Sequence, residues 1–500
     1  MLSPLRRALR VAPDHVAVVC GDRRLTYAET EDRCRRLGAG LRTLGLGPGD
    51  RVAVVGPNCH QYLELYLAVP AAGMVVVPLN SRHTTAELRY ALADAGVKVL
   101  FTAVGAEGFD DVVEHVVELG PGYEELLAGS APEPFAGDVH EDTLAGLFYT
   151  GGTTGASKGV MLTHRNLVAN AFHLQTFTPL GPDTTWLVAA PLFHAAGSLA
   201  VLATVWNGGR QVVLPTFDPS TALDLLESHR VTATLVVPTM LAALTEEQRA
   251  SPRDISSLTW LSHGGSPCAT ETLRRAHAAF PGAELLHTYG ATETVPIATV
   301  LRHEERELDG LRARSCGQPA VGVEVVVMGA DGSEAAPGTI GEVVVRGPNV
   351  MAGYWNKPVE TDAAVVDGWY HTGDLGHQDD HAYLFLVDRV KDMIVTGGEN
   401  VYSTEVEEAL YSHPAVLEAA VFGVPDPNWG EAVHAVVVAR HEVGAEALKA
   451  HCRSTIAVYK VPKAIDFQNQ PLPKSGAGKV LKRELREPHW EGRSARVAGA

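Results

Sequence analysis

Along the first 300 residues, short runs of β-branched and apolar residues alternate with stretches of helical spacing. RVAVVG (51–56) and MVVVPL (74–79) flank the helical YLELYLAVPAAG, and KVLFT (98–102) follows a further helical stretch. The alternation returns with TWLVAAP (185–191), RQVVLP (210–215), ATLVVP (233–238) and AELLHTYG (283–290). Runs without polar alternation are buried on both faces, which predicts an α/β fold with largely parallel sheets. Leu25 to Leu44 has helical spacing behind Thr26, with Glu29 three residues on, the sequence of a capping box. From about Gly322 the pattern changes to VEVVVM and GEVVVRG, joined by the turn-rich GADGSEAAPGT, a small antiparallel section. After DRVKDMIVTGGEN (388–400) come a helix, two strands and a helix, a small α+β unit. The expected organisation is a large N-terminal domain, residues 1–390, of stacked, largely parallel α/β sheets plus the antiparallel section. A small C-terminal domain, residues 391–500, follows it.

Composition narrows the function classes. Five hundred residues exceed what one core supports, so at least two domains are expected. An apolar content of 46% with mean hydropathy near zero fits a globular chain. The net charge of −18 argues against a nucleic-acid partner, although a local basic pocket can still attract a small anion. The cysteines (Cys20, Cys34, Cys59, Cys268, Cys316, Cys452) form no C-x-x-C pair, so reduced thiols are expected in place of disulfides or zinc. No apolar run approaches ~18 residues, and the basic opening MLSPLRRALRVAPDH lacks the apolar segment of a secretory leader. The expectation is a cytoplasmic protein without a transmembrane segment, alone or as a homodimer.

The candidate chemistry starts at YTGGTTGASKGV (149–160), which lies between the strand-like LAGLFY and GVML. Its glycines let the backbone approach an anion, Thr150, Thr153 and Thr154 add hydroxyl donors, and Lys158 adds a positive charge. Lys158 follows Ser157 and no helix follows the loop, so it departs from the Walker pattern and disfavours a kinase of that type. Such a loop suits a departing triphosphate tail; a plain surface hairpin is the alternative. Downstream, HTYGATET (287–294) places Tyr289, Thr292 and Glu293 at the end of a buried strand, where α/β sheets bind ligands. Glu293 offers carboxylate oxygen to Mg²⁺, Tyr289 a ring for a purine, and Thr292 a donor to phosphate. In GWYHTGDLG (368–376), Asp374 is suited to both hydroxyls of a ribose or, equally, to stabilising a turn.

Six motifs in this order resemble those of the adenylate-forming superfamily of acyl-CoA synthetases, luciferases and peptide-synthetase adenylation domains. They are YTGGTTGASKGV, PLFH (191–194), YGATET, WYHTGDLG, DRVKDMIVTGGENVYSTEVE (388–407) and PKSGAGK, and the resemblance runs from about Leu25 to Glu487. It implies an enzyme that joins a carboxylic acid to ATP as acyl-AMP, releases pyrophosphate, and passes the acyl group to coenzyme A. ATP, Mg²⁺ and CoA are the implied cofactors and co-substrates. Carried over residue by residue, Thr150, Thr153, Thr154 and Lys158 hold the β- and γ-phosphates. Thr292 and Glu293 take the phosphate and Mg²⁺ positions, with Glu293 the metal ligand. Tyr289, Gly265 and Ser266 match the adenine slot, and Asp374 and Arg389 the ribose contacts. Lys391 matches the hinge about which a mobile small domain turns. Lys479 matches the catalytic lysine between the substrate carboxylate and the α-phosphate, where a cation offsets the repulsion of two anions. His194 lines the acyl pocket beside the reacting carboxylate, with Ala196, Gly197, Gly264 and Ala291 as further lining. Gly397, Gly398, Glu399 and Asn400 match the border of the CoA channel.

Several positions depart from the family pattern. Gly151 stands for the usual loop serine, Ser157 for a common proline, His371 for a frequent arginine and Ser403 for a frequent proline. None is a residue that the chemistry needs. Amino-acid-activating relatives carry an aspartate where this chain has His194, and malonate-activating relatives an arginine where it has Thr288. An apolar monocarboxylic acid, fatty or aromatic, is therefore expected, as in bacterial fatty-acid and hydroxycinnamate-type CoA ligases. His173, His263 and His287 are expected to be structural. The alternatives are an adenylating enzyme with an amine or carrier-protein thiol as acceptor, and a non-catalytic nucleotide-binding relative.

Overall fold

The computed structural model describes residues 2–105, 107–135, 139–150, 157–266, 268, 270–304, 308–389, 392–474 and 480–490, without the side chains of Leu2 and Leu199. By its internal contacts the chain forms two compact units, Met1–Val325 with Val344–His371, and Val326–Val343 with Thr372–Ala500.

The first unit is built on two sheets. In the nine-stranded sheet, Glu284–Tyr289, Trp260–Gly264, Ala233–Val236, Thr185–Val188, Arg210–Val213 and Val16–Cys20 lie side by side and parallel. Thr299–His303 and Arg23–Thr26 run antiparallel at either side. Leu187, Val236, Leu261 and Leu285 bury one face under the helices Pro219–Ser228, Pro238–Ala250 and Thr270–Ala279. The seven-stranded sheet carries the expected strand–helix–strand unit, with Arg51–Val55 parallel to Val75–Leu79 and to Val97–Thr102. Both sheets are buried on both faces where the sequence shows continuous apolar runs. The helix Tyr27–Thr43 begins as expected: Thr26 Oγ1 accepts from Glu29 N and Glu29 Oε2 accepts from Thr26 N. Among the described residues, no helix is long and apolar enough to cross a membrane.

The second unit has the expected helix–strand–strand–helix order: Ser403–Tyr411, Val416–Asp426, Gly430–Ala439 and Ala445–Thr455. Its long strands pair antiparallel over a core of Val421, Val433, Ala435, Val437 and Leu448. The unit's second segment begins at Thr372, so it takes in Asp374 and Arg389, which the sequence places in the expected large domain, residues 1–390. The reason is a buried bond: Asp388 Oδ2 accepts from Ser403 N, and Oδ1 from Ser403 Oγ at 3.1 Å, which fastens 384–389 to the first helix of the unit. Lys391 lies outside the described residues, and its role as a hinge is a proposal.

Candidate active site

Within the first unit, the carboxyl end of Glu284–Tyr289 runs into a tightly held turn. At Gly290 a Cβ atom would lie 1.8 Å from the Pro296 carbonyl oxygen, so only glycine fits. The next residues form a single 3₁₀ turn, Thr292–Thr294, in which Ala291 N donates to Thr294 Oγ1 at 2.9 Å. Val295 then takes a left-handed φ of 54°, a strained conformation for a β-branched residue. The strain is held by buried amides. Asn349 Nδ2 donates to Thr294 O (2.9 Å) and Ile297 O (2.7 Å), and Met351 N donates to Glu293 O at 2.8 Å. Asn166 Nδ2 in turn donates to Pro348 O and Val350 O, each at 2.8 Å.

This frame brings two of the expected site residues onto one side chain. Tyr354 donates its hydroxyl to Glu293 Oε1 at 2.8 Å, and Lys158 Nζ lies 4.9 Å from the centre of the Tyr354 ring. Burial and the Glu293 carboxylate push the Tyr354 phenol far above its ordinary range, so it remains a neutral donor. Lys158 gains a cation–π contact with the ring that donates to Glu293. Tyr354 lies in the short strand Gly353–Tyr354, which pairs with Lys158–Thr163. Tyr354 is not among the residues expected from the motifs, and the aromatic GYW run (353–355) is its signal in the sequence.

Strands Leu144–Thr150 and Lys158–Thr163 pair antiparallel with Thr150 opposite Lys158. The intervening segment therefore joins strand to strand, as expected, and not strand to helix. Thr153 and Thr154 lie outside the described residues.

The segment after Thr185–Val188 is pinned by another buried amide. Asn58 Nδ2 donates to Ala190 O and Leu214 O, each at 3.1 Å, and Asn58 Oδ1 accepts from Leu192 N at 2.8 Å. Tyr66 adds a hydroxyl donated to Leu192 O at 2.6 Å. His194 follows as the residue capping the helix Ala195–Asn207, its ring 4.6 Å from that of Phe193. His194, Ala196 and Ala291 are half-buried. Two of the expected pocket residues need correction. A Cβ on Gly197 would lie 1.9 Å from the Pro191 carbonyl oxygen, and one on Gly264 2.4 Å from the Thr288 carbonyl oxygen. Their missing side chains let backbones approach and do not leave room for an acyl group. Gly197→Leu is accordingly expected to lose at least ~3 kcal/mol of stability, seen as a lowered unfolding midpoint whatever acid is present. A stable variant with a shifted acid preference would restore Gly197 to the pocket.

Beside Gly264 and Thr288 the sheet buries three histidines. His263 stacks on His303 with ring centres 5.2 Å apart, and His263 Nδ1 lies 3.4 Å from His287 Nδ1. Burial holds His287 down at about 4 and His303 at about 3, and drives His263 well below its ordinary value. All three are neutral at pH 7, in keeping with the structural role expected for His263 and His287; His303 was not foreseen. Because these folded values lie below the ordinary 6.5, the unfolded chain binds more protons between them. Their contribution to stability is full above pH ~6.5 and is lost as pH falls toward ~4. The melting temperature is expected to fall steadily over that window, and His303→Phe to flatten the dependence. An unchanged slope in the variant would assign the acid sensitivity to other groups.

In the second unit, Asp374 and Arg389 stand opposite each other on paired strands, with Arg389 Nε 3.1 Å from Asp374 Oδ1. Thr372 Oγ1 accepts from Asp374 N at 3.0 Å and donates to Val343 O at 2.7 Å, which fixes the turn. The two ribose candidates are thus brought together. Gly397 and Gly398, both at positive φ (61° and 85°), form the turn of a hairpin whose second strand starts at Glu399 and Asn400. Gly397 N donates to Trp429 O at 2.8 Å, and a Cβ at Gly397 would meet the Trp429 ring at 2.6 Å. Ser403 also accepts from Lys482 Nζ at 2.7 Å, and Lys482 is paired with half-buried Glu407 at 2.7 Å. A proline at 403, frequent in the family pattern, could not donate to Asp388. Lys479 lies outside the described residues.

Comparison with known proteins gives the class. The profile of the AMP-binding enzyme family matches residues 5–355, and that of the AMP-binding enzyme C-terminal domain matches residues 405–479. The chain belongs to the AMP-binding enzyme family. A feruloyl-CoA synthase from an Amycolatopsis species is 42% identical over 493 residues, 97% of each chain. The fatty acid–[acyl-carrier-protein] ligase ScoC of Streptomyces coeruleorubidus is 36% identical over 97% of this chain and 95% of its own. Among solved structures, o-succinylbenzoate coenzyme A synthetase (MenE) from Bacillus subtilis, in complex with ATP and magnesium ion, superposes with a TM-score of 0.88. It is 31% identical, over 97% of this chain and 99% of that one.

Proposed function

We propose that this chain is an ATP-dependent acyl-CoA ligase for an apolar monocarboxylic acid, fatty or aromatic. The observation that carries the reading is the meeting of Lys158 and Glu293 on Tyr354, in a chain matched to the AMP-binding enzyme family across that whole region. In the first half-reaction a carboxylate oxygen of the acid attacks the α-phosphorus of ATP, and the bond to the β-phosphate oxygen breaks to release pyrophosphate. In the second, the CoA thiol loses its proton and its sulfur attacks the acyl carbonyl carbon, expelling AMP.

Lys158, with Thr150, Thr153 and Thr154, would hold the departing phosphates. Glu293 is a suitable ligand for Mg²⁺, because a carboxylate oxygen suits a hard cation and its partner Tyr354 is a neutral hydroxyl donor. Bound there, the ion would neutralise charge on the phosphates. Tyr289, Gly265 and Ser266 would receive adenine, Asp374 and Arg389 the ribose, and Lys479 the carboxylate and α-phosphate. His194, Ala196 and Ala291 would face the acyl body, and 397–400 would border the CoA path.

The acid class is supported by His194 and Thr288, which offer neither an anion to a substrate ammonium nor a cation to a second carboxylate. The feruloyl and fatty-acid relatives fit the same class. A second reading, with a carrier-protein thiol as acceptor, is favoured by the likeness to ScoC. The deciding experiment is AMP formation with a panel of fatty and hydroxycinnamic acids, each run with CoA, with a carrier protein bearing the phosphopantetheine thiol, with an amine, and with no acceptor. Turnover with CoA alone supports the proposal, and turnover only with the carrier protein or amine overturns it.

A further inference from the structure

We propose that His434, Asp466 and His489 form a binding site, separate from the adenylation chemistry, for a divalent ion of the zinc class. The three come from different elements of the second unit: the strand Gly430–Ala439, the adjacent strand Ala464–Phe467, and the helix Lys482–Trp490. Their ligand atoms all lie within 4.8 Å of one another. His434 Nε2 is 3.1 Å from Asp466 Oδ2, and the His434 and His489 ring centres are 4.7 Å apart. The parallel register sets His434 opposite Ala464 and Asp466 opposite Val436, so the two ligands lie two residues apart along the ladder, on the same face of the sheet.

The ligand chemistry selects the ion. Two imidazoles and one carboxylate suit zinc, cobalt or nickel, whereas magnesium prefers an octahedron of oxygens. His434 is buried, while Asp466 and His489 are exposed, so an ion could enter from solvent and keep an open position for water. Phe422 forms an apolar wall, its ring 5.3 Å from that of His434 and 5.8 Å from that of His489. Such a wall limits water to one side and favours metal–ligand bonds over hydration.

The site has a mechanical consequence. Lys482 anchors the start of the helix through Ser403 and Glu407, and Trp490 Nε1 donates to Gly423 O at 3.1 Å near its end. An ion on His489 would add a third tether, on a helix that begins three residues after Lys479. Without the ion, the same groups would give only the His434–Asp466 hydrogen bond, to which His489 is dispensable.

That difference supplies the test. The full chain, stripped with a chelator, is titrated with Co²⁺ by visible ligand-field absorption and with Zn²⁺ by calorimetry. One ion per chain is expected, with excess Mg²⁺ leaving the Co²⁺ signal in place. His489→Ala and Asp466→Asn are each expected to weaken binding by about tenfold or more. Far-ultraviolet circular dichroism and an unchanged unfolding midpoint in chelator establish that the variants fold. Stoichiometric binding that survives both substitutions, or no stoichiometric binding in the unaltered chain, overturns the proposal.

Discussion

Replacing Lys479 with alanine is expected to remove acyl-adenylate formation while leaving thioester formation from supplied acyl-adenylate close to normal. The reason is electrostatic. The substrate carboxylate and the α-phosphate are both anions, and two like charges at about 4 Å repel by several kcal/mol in a partly desolvated site. A lysine between them offsets that repulsion only while they approach, so its loss should cost on the order of 10²–10³-fold or more in the first half-reaction. In the second half-reaction the anhydride already exists, and a thiol meets a carbonyl carbon with no second anion to bring up. Single-turnover measurements of each step with the variant separate the two. A parallel fall in both would remove Lys479 from the role that the PKSGAGK motif assigns to it.

Lys391→Pro is expected to do the reverse. Proline locks φ near −65° and removes the backbone N–H, so a residue whose dihedrals must change between two steps can serve only one of them. Adenylation should persist within a few-fold, while transfer to CoA drops by about 10²-fold or more. The neighbouring sequence makes the position a demanding one. Asp388 is fastened to Ser403, and Arg389 to Asp374, so the chain just before 391 has little freedom to absorb a rotation. Equal loss of both steps would place the hinge elsewhere, with the passage from His371 to Thr372, where the compact units divide, as the next position to test.

Much of the framework was legible because its signals are local. The capping box at Thr26 and Glu29 is complete within four residues, and the strands around 149–160 announce themselves by the short apolar runs LAGLFY and GVML. The strand Trp260–Gly264 was missed, since WLSHG interleaves polar residues with apolar ones. The cause is visible in the fold: Ser262 and His263 are buried beside His287 and His303. The buried amides Asn58, Asn166 and Asn349 were also beyond reach, because each holds backbone far away in sequence, such as Asn58 on Ala190 and Leu214. Gly197 and Gly264 illustrate a different limit. A sequence shows that a side chain is absent but not what occupies the space, and here backbone oxygens do. The chemistry-bearing residues were found by motif, and Lys158 and Glu293 do converge, but the Tyr354 that joins them depends on a pairing between strands nearly two hundred residues apart.

Isotope exchange between pyrophosphate and ATP addresses adenylation most directly, because it reads the reversal of the first half-reaction and needs no acceptor. With ATP, Mg²⁺ and labelled pyrophosphate, exchange is expected to appear only when a suitable fatty or aromatic acid is added, to proceed without CoA, and to be lost in Lys479→Ala. Exchange that is independent of any acid, or absent with every fatty and aromatic acid while ATP is cleaved to ADP and phosphate, would contradict an acyl-adenylate mechanism.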